Sequence, residues 1–417
     1  MQTRQSIRKI SWTFIDQGVV SFGAFFANIL LARHLPPSEY GVFALIFGML
    51  LGLQIINGSL LFYPLSIRVA VAVEETKLRL IHFTLLLAAL TSFALGGVLC
   101  LALISFERPD LALPTLAWFL SWQIQEATRR ALFAEFRHRG AVIGDSISYI
   151  GQVFLIGCLA LMNDLTLSHS LYAMAFTSTL AAFVQGRQIG ADSRAISMSK
   201  AFVLSTVRDF WTLGSWALGN HLISLLRIQT FPWVLAWLYG PAAAGGFQAA
   251  LNAINLANPV VIGLGNLIPQ AVAQERSRGS APAWKVARTY ALIGFLPLAL
   301  YYGLTIAFPG VVLEVLYGSG SPYLSLTAAV QILAGAWGAG YAADMVCSFL
   351  HGVDAARHAF GINAIGAATA VLTAVPLINS VGPNGGFIAL AISSVVRSAA
   401  AYVSLTRMLT HDRPRYA

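Results

Sequence analysis

The sequence has few charged residues. Charged side chains make up only 10% of its 417 residues, whereas soluble globular domains carry roughly 25%. Hydrophobic residues account for 57% of the chain, and the mean hydropathy is +0.71. This composition argues against a soluble globular protein and predicts one that is embedded in a membrane.

Cysteine is also scarce, and the usual motifs of active sites are missing. Cys100, Cys158 and Cys347 all fall within long apolar stretches, and an odd number of cysteines placed in lipid argues against a disulfide framework. The sequence contains no HExxH, CxxC, GxSxG or P-loop pattern, which are signatures of zinc, redox, hydrolase and nucleotide sites. We therefore expect no enzymatic activity, no metal and no cofactor.

Long apolar stretches dominate the chain instead. A helix needs about 20 predominantly apolar residues to cross a hydrocarbon core, and twelve stretches of about that length recur along the sequence. The expected fold class is an all-α integral membrane protein with about twelve transmembrane helices. The predicted spans are 10–32, 41–65, 80–104, 112–128, 141–162, 167–186, 210–238, 241–268, 289–308, 323–350, 358–379 and 386–406.

The basic residues are distributed unevenly between the connections. Of the 26 lysines and arginines, 22 fall in the even-numbered connections and at the termini, and the odd-numbered connections hold only Arg33 and Arg108. Because loops rich in lysine and arginine stay in the cytoplasm, both termini are predicted to be cytoplasmic. The net charge of +9 is then explained by basic residues that set the topology and contact anionic lipids at the cytoplasmic surface of the membrane. No soluble basic domain is present to bind nucleic acid.

Two pairs of segments indicate an internal repeat. The first pair has an offset of 204 residues and aligns Pro37 with Pro241, and the second has an offset of 218 residues and aligns Asp145 with Asn363. The paired segments are "LARHLPPSEYGVFA" (31–44) with "LAWLYGPAAAGGFQ" (235–248), and "LFAEFRHRGAVIGDSI" (132–147) with "LHGVDAARHAFGINAI" (350–365).

The repeat divides the chain into two predicted six-helix lobes, 1–208 and 209–417. Six is an even number, so both lobes have the same orientation and are predicted to be related by a pseudo-two-fold axis along the membrane normal. Parallel repeats of this kind suit transporters, which place their site near the middle of the membrane between the repeats.

Three segments carry a family resemblance: "ANILLARHLPPSEYGVFAL" (27–45), "QEATRRALFAEFRHRG" (125–140) and "LEVLYGSGSPYLSLTAAVQILAGAWGAGYAADMVCSFLHGVDAARHAFGINAIG" (313–366). They resemble polysaccharide transporters of the MOP superfamily, and the resemblance covers nearly the whole chain. It implies a flippase that moves undecaprenyl-diphosphate-linked oligosaccharide from the cytoplasmic to the periplasmic leaflet of the bacterial inner membrane. The expected partners are membrane lipids, this lipid-linked glycan, and polysaccharide polymerase or export machinery.

Two alternatives remain open at this stage. The multidrug antiporters of the same superfamily have the same twelve helices, so a cation-coupled exporter of small molecules is the main rival. The other alternative is a membrane scaffold that transports nothing.

Two arginines lie deep within predicted spans. Arg227 and Arg397 are each roughly ten or more residues from either end of their span, and an arginine at the centre of a membrane costs about 2.5–3.5 kcal/mol or more. The cost falls if the guanidinium faces water and an anion, and its planar fork of donors suits phosphate. A cation exporter would instead place carboxylates at this depth. We interpret the pattern as a site for an anionic substrate.

Polar side chains at helical spacing extend this candidate site. Asn220, Ser224 and Arg227 are spaced i, i+4, i+7, and a stripe from Gln248 to Asn266 is predicted along the eighth span. The alternative is that these residues bind neighbouring helices, at about 0.6 kcal/mol per contact, and that Arg130 extends to the membrane surface. The candidate substrate-binding residues are Arg227, Asn220, Ser224, Asn252, Asn255, Tyr341, Arg397 and Arg130.

Four further residues are candidates for ion coupling or gating: Asp16, Glu126, Asp344 and His221. The three acids lie within predicted spans, and the offset of 218 aligns Glu126 with Asp344. The alternative for each acid is a structural salt bridge near a cytoplasmic helix end, and for His221 a hydrogen bond within the packed helices.

The charge distribution makes a testable prediction about topology. Reporter fusions should place 33–40, 163–168 and 380–385 outside the cytoplasm and 187–208 inside it, because the outer connections are poor in lysine and arginine. A cytoplasmic signal from a fusion within 380–385 would contradict the twelve-span arrangement.

Overall fold

The structure is a computed structural model that describes residues 2–189 and 198–411. Of the predicted cytoplasmic segments, 190–197 and 412–417 lie outside the described residues. The helices of the first half are α1 (Gln2–His34), α2 (Pro37–Asn57), α3 (Tyr63–Val71), α4 (Glu74–Ser105), α5 (Ala112–Ala134), α6 (His138–Asp145), α7 (Gly151–Leu161) and α8 (Leu167–Ile189). Those of the second half are α9 (Lys200–Tyr239), α10 (Pro241–Asn255), α11 (Asn258–Glu275), α12 (Ser280–Ala307), α13 (Pro309–Tyr317), α14 (Thr327–Gly352), α15 (Ala356–Val381) and α16 (Asn384–His411).

Each of the twelve predicted spans coincides with one helix or with consecutive helices. In the described part of the chain, nine helical segments are long and apolar enough to cross a membrane, and the bent pair α10 and α11 raises that number to ten. The other two spans, α5 and α14, have 23 and 26 residues, which is enough at 1.5 Å per residue to cross about 30 Å. The chain is therefore an all-α integral membrane protein, as the sequence predicts.

The lower hydropathy of α5 follows from a buried polar face. Gln123, Gln125 and Glu126 are all buried in the interior of the helix packing. A helix that is covered by protein on one side needs no continuous apolar surface.

Three of the predicted spans contain a break in their α-helical hydrogen bonding. Residues 58–62 join α2 to α3 and residues 146–150 join α6 to α7 as π-helical turns. Between α10 and α11 the chain bends by 60°. The ring of Pro259 removes a backbone donor and crowds the preceding turn, so a new helix begins at Asn258 with this proline in its first turn.

This bend corrects one expectation from the sequence. The predicted stripe on the eighth span assumed one straight helix from Gln248 to Asn266. Instead, Gln248, Asn252 and Asn255 lie on α10, whereas Asn266 lies on α11. These four amide residues are therefore divided between two helices at an angle to each other.

The contacts divide the chain into two compact units. Unit 1 comprises residues 1–35 and 46–222, and unit 2 comprises residues 36–45 and 223–417. The first turns of α2 thus belong to unit 2, and the first half of α9 belongs to unit 1. The lobes 1–208 and 209–417 and the axis between them remain a proposal that rests on the sequence repeat.

Specific contacts explain why the first half of α9 belongs to unit 1. Arg68 of α3 donates two hydrogen bonds to Asp209, from Nε at 2.7 Å and from Nη2 at 2.5 Å. Further along α9, a Cβ at Gly214 would lie 2.4 Å from the carbonyl oxygen of Ser59, and the Ser59 hydroxyl is 2.9 Å from Nδ1 of His221. A fork of charge-assisted hydrogen bonds and a close backbone contact hold this half of the helix in place.

The start of α2 is held in unit 2 by two glycines. A Cβ at Gly41 would lie 1.8 Å from the carbonyl oxygen of Pro241, and a Cβ at Gly245 would lie 2.8 Å from the carbonyl oxygen of Pro37. Only glycine permits this approach of the two backbones. The four residues are the two aligned pairs at the offset of 204, so each segment of the sequence match contacts its counterpart.

A hydrogen bond strengthens the same contact. Asn252 of α10 donates from Nδ2 to the Tyr40 hydroxyl at 2.8 Å, and both side chains are buried. The ring of Tyr40 also packs edge-on against Tyr323 at 6.0 Å between centroids. These contacts give Asn252 a structural role in unit 2.

The glycine contact generates a stability prediction. Gly41→Ala should lower the melting temperature of the purified protein, because the backbones must separate, and overpacking costs about 1–3 kcal/mol. Gly246→Ala is the matched control, since its new Cβ would meet only Leu326 at an ordinary 3.9 Å and gains helix propensity of up to about 1 kcal/mol. Equal melting temperatures for the two variants, measured in the same detergent, would contradict the close contact.

Candidate functional site: a cationic cavity and a buried ion-pair cluster

Unit 2 contains a cavity of about 200 Å³ into which the two deep arginines project. The cavity is formed by α9, α10, α11, α14 and α16. It carries two guanidinium groups and one carboxylate, which gives it one net positive charge. Its lining residues are Arg227, Ile228, Leu251, Asn255, Asn258, Ala336, Trp337, Gly340, Asp344, Ser394 and Arg397.

Arg397 of α16 is held by hydrogen bonds from two neighbouring helices. It donates from Nε to Oδ1 of Asn363 on α15 at 3.0 Å, and from Nη2 to Oδ1 of Asp344 on α14. The residue is only 4% exposed. Burial of a charge is tolerated when it is paired and hydrogen-bonded, so Asp344 and Asn363 fix both the position and the orientation of this guanidinium.

Arg227 of α9 has a different environment. It is half-buried at the cavity wall, and no carboxylate among the described residues lies within salt-bridge distance of it. The carboxylate of Asp344, which also lines the cavity, is bound to Arg397 instead. The charge of Arg227 is therefore available for an anion that enters the cavity.

Neutral polar and aromatic groups complete the wall. At the bend between α10 and α11, Asn258 donates from Nδ2 to Oδ1 of Asn255 at 2.9 Å. Trp337 of α14 contributes an indole ring. Amides and aromatic rings are suited to the hydroxyl groups and ring faces of sugars.

The cavity includes only part of the residue set predicted from the sequence. Arg227, Arg397 and Asn255 line it, and so does Asp344, which was predicted for coupling. Asn252 does not, because it binds Tyr40. Its amide joins α10 to the start of α2, and a role for Asn252 in substrate binding stays a prediction.

Tyr341 also lies outside the lining of this cavity. Its hydroxyl donates to the backbone carbonyl of Ala291 on α12 at 2.7 Å, and the residue is 6% exposed. The tyrosine thus joins α14 to α12 and does not line the cavity. Trp337, one turn earlier on the same face, lines it instead.

Four other predicted residues lie away from the cavity wall. Ser224 belongs to unit 2 but is not among the lining residues, whereas Asn220, His221 and Arg130 belong to unit 1. Arg130 is 47% exposed in its side chain and donates from Nε to Glu126 at 2.6 Å. Only Arg227 of the predicted α9 stripe reaches the cavity.

Unit 1 contains a buried cluster of ion pairs around Arg129 of α5. Its guanidinium lies 2.6 Å from Asp16 of α1, 3.1 Å from Glu126 of its own helix and 2.5 Å from Asp145 of α6. All three acids are buried. Asp16 and Glu126 are the predicted coupling acids, and the structure places them on the same arginine.

Asp145 and Arg129 were missed as site residues. The sequence match at the offset of 218 contained the signal for Asp145, because it aligns this residue with Asn363. Both are now seen to bind a buried arginine within their own unit, Arg129 and Arg397 respectively. The same offset aligns Glu126 with Asp344. Glu126 binds Arg129, and Asp344 binds Arg397.

The cluster contains more negative than positive charge. Three carboxylates face Arg129, and Glu126 also binds Arg130. With all groups ionised, the sum is one net negative charge in a buried site. An uncompensated buried charge is costly, so one proton or monovalent cation would stabilise the cluster.

The fold resembles that of known membrane transporters. The chain superposes on an inward-facing multidrug resistance MATE family transporter of the MOP superfamily with a TM-score of 0.81, at 13% identity and with 96% of each chain covered. An outward-facing structure of a transporter described in the same words gives 0.68 at 13% identity, covering 98% of this chain and 96% of the other. A MOP superfamily transporter from Pyrococcus furiosus, described as having a binding pocket of reverse polarity, gives 0.68 at 13% identity, covering 97% and 95%. The chain has the fold of these transporters.

The family follows from the sequence. The model of the polysaccharide biosynthesis protein family matches residues 6–273, which is more than half of the chain. The protein belongs to this family, and its fold is that of a membrane transporter. A comparison with curated proteins gives no significant match.

Proposed function

We propose that this protein is a flippase for a lipid-linked oligosaccharide, with a diphosphate linkage between lipid and sugar. It would move the carrier from the cytoplasmic to the periplasmic leaflet of a bacterial inner membrane by alternating access, for polysaccharide biosynthesis or export. The glycan would then pass to polymerase or export machinery. Membership of the polysaccharide biosynthesis family supports a glycan-bearing substrate.

One observation carries the proposal: Arg227 faces the cavity beside Arg397, and the only lining carboxylate is bound to Arg397. Two guanidinium groups can each offer a planar pair of donors to phosphate oxygens. Trp337, Asn255 and Asn258 would contact the sugar. The lipid tail needs no polar site and would stay in the bilayer.

The main alternative is a cation-coupled exporter of small molecules. The multidrug transporters with the same fold favour it. A cationic substrate would need an anionic cavity, however, and the unit 2 cavity carries a net positive charge. We therefore prefer the anionic, lipid-linked substrate.

Arg227 provides the test. Arg227→Ala should abolish glycan export per molecule of inserted protein, because the cavity loses its available cation. Arg227→Lys should retain part of the export, since lysine keeps the charge but loses the bidentate geometry. Export is measured as surface polysaccharide divided by the amount of protein in the membrane. Normal export per molecule in Arg227→Ala would rule out its role in substrate binding and would favour the scaffold or small-molecule alternatives.

For ion coupling, we propose the cluster around Arg129. Its excess carboxylate could bind a proton or a monovalent cation in one state of the transport cycle and release it in another. Asp344 is the second candidate, because an anionic substrate at Arg397 would compete with its carboxylate. His221 is a weaker candidate for gating, since its ring already bonds to Ser59.

Single amide substitutions distinguish these sites. Asp16→Asn, Glu126→Gln and Asp145→Asn each remove one charge of the cluster and keep the side-chain shape, and Asp344→Asn does the same in the cavity. At least one cluster variant should lose its response to an imposed pH or sodium gradient in liposomes while its protein level stays normal. If only Asp344→Asn loses it, coupling resides in the cavity. If all four variants respond normally, transport is driven by the substrate gradient.

A further inference from the structure

Gly366 of α15 lies against the side chains of both cavity arginines. A Cβ built on it would be 3.2 Å from Cβ and from Cδ of Arg397, and 3.4 Å from Cδ of Arg227. The two Cδ atoms lie within 3.4 Å of the same point, so they are less than twice that distance apart. The missing side chain leaves the room that both arginine stems occupy.

The same face of α15 also holds Arg397 by its polar end. Asn363 precedes Gly366 by three residues, which places both on one side of the helix, and it accepts the Nε–H of Arg397 at 3.0 Å. The carbonyl oxygen of Gly366 accepts a hydrogen bond from Ser393 of α16 at 2.7 Å. Two hydrogen bonds therefore hold α16 against this face of α15: one from Ser393 to Gly366, and one from Arg397 to Asn363.

Two guanidinium groups repel each other, so their close approach has to be imposed by the surrounding structure. Asp344 neutralises one of them, and the absence of a side chain at Gly366 lets both stems lie close to α15 and to each other. This arrangement presents two cationic forks side by side to the cavity. Two adjoining phosphate groups, each bound by one fork, match it better than a single phosphate does.

We propose that Gly366 is a positioning residue that sets the spacing of Arg227 and Arg397 and thereby makes the cavity select a lipid diphosphate over a lipid monophosphate. The proposal rests on the lipid-linked substrate of the proposed function. It adds that the cavity recognises the diphosphate group, and that Gly366 contributes to this recognition without touching the substrate.

An alanine at position 366 would act through the arginines. Contacts of 3.2 Å to carbon are tighter than packed side chains normally adopt, so one stem or both must move by a few tenths of an ångström. Because Arg397 is tied at its tip to Asp344 and Asn363, the shift changes the relation between the two forks. We expect loss of roughly one charge-assisted hydrogen bond to the second phosphate, which corresponds to about ten-fold weaker binding.

Gly361 provides the matched control. It lies on the same helix, and a Cβ added there would meet nothing within 4 Å. Gly361→Ala therefore carries the same gain in helix propensity without contact to either arginine. Any effect of Gly366→Ala that Gly361→Ala lacks comes from the contact.

The experiment measures the binding of two probes to the purified full-length protein. The probes are a polyprenyl diphosphate and a polyprenyl monophosphate with the same chain, and one readout is the tryptophan fluorescence of the protein, to which Trp337 in the cavity wall contributes. Wild type and Gly361→Ala should prefer the diphosphate. Gly366→Ala should bind it about ten-fold more weakly while its affinity for the monophosphate and its melting temperature stay near those of wild type.

A double-mutant cycle protects the test against a folding defect. In an Arg227→Ala background, the second fork is gone and its stem no longer occupies the space, so adding Gly366→Ala should cause no further loss of diphosphate binding. A further loss in that background, or equal losses for both probes in the single variant, would overturn the positioning role. Binding by Gly366→Ala that equals that of Gly361→Ala would also overturn it. If wild type binds neither probe, the lipid-diphosphate function itself is wrong, which is a distinct result.

Discussion

Buried arginines that must be neutralised organise the polar interior of both units. In unit 1, Arg129 draws together α1, α5 and α6 through three carboxylates. In unit 2, Arg397 draws together α14, α15 and α16 through Asp344 and Asn363. Removing one partner of a buried pair typically costs about 3–5 kcal/mol, so each arginine constrains the helices around it. Arg227 lies near the carboxylate of Asp344, but that carboxylate is already bound to Arg397.

The two arrangements use aligned positions but different helices. Glu126 and Asp145 correspond to Asp344 and Asn363 at the offset of 218, yet Arg129 comes from the helix that carries Glu126, whereas Arg397 comes from α16. Replacement of the second carboxylate by an amide changes the charge balance. The cluster in unit 1 has an excess of negative charge, and the cavity in unit 2 has an excess of positive charge. One repeated layout thus carries a net negative charge in one unit and a net positive charge in the other.

Much of the fold could be predicted from the sequence because hydropathy and loop charge report directly on lipid contact. All twelve spans were located in this way, including α5, although one face of this helix is polar. The site was harder to predict, since a polar stripe looks the same whether it faces a cavity or a neighbouring helix. Asn252 and Tyr341 bind other helices, and the pairing of Asp344 with Arg397 depends on which helices are neighbours. That information is in the tertiary packing of α14 and α16 and not in the periodicity of either helix.

The single uncompensated charge of Arg227 also has an electrical consequence. A transmembrane voltage acts on any charge that moves through it, at about 2.3 kcal/mol per elementary charge per 100 mV. A diphosphate brings more negative charge than the one net positive charge of the cavity can balance, so the loaded site would be anionic as it changes sides. A cell interior that is negative would then favour outward movement of the loaded site. A second unpaired cation in the cavity would neutralise the loaded site and remove this dependence on voltage.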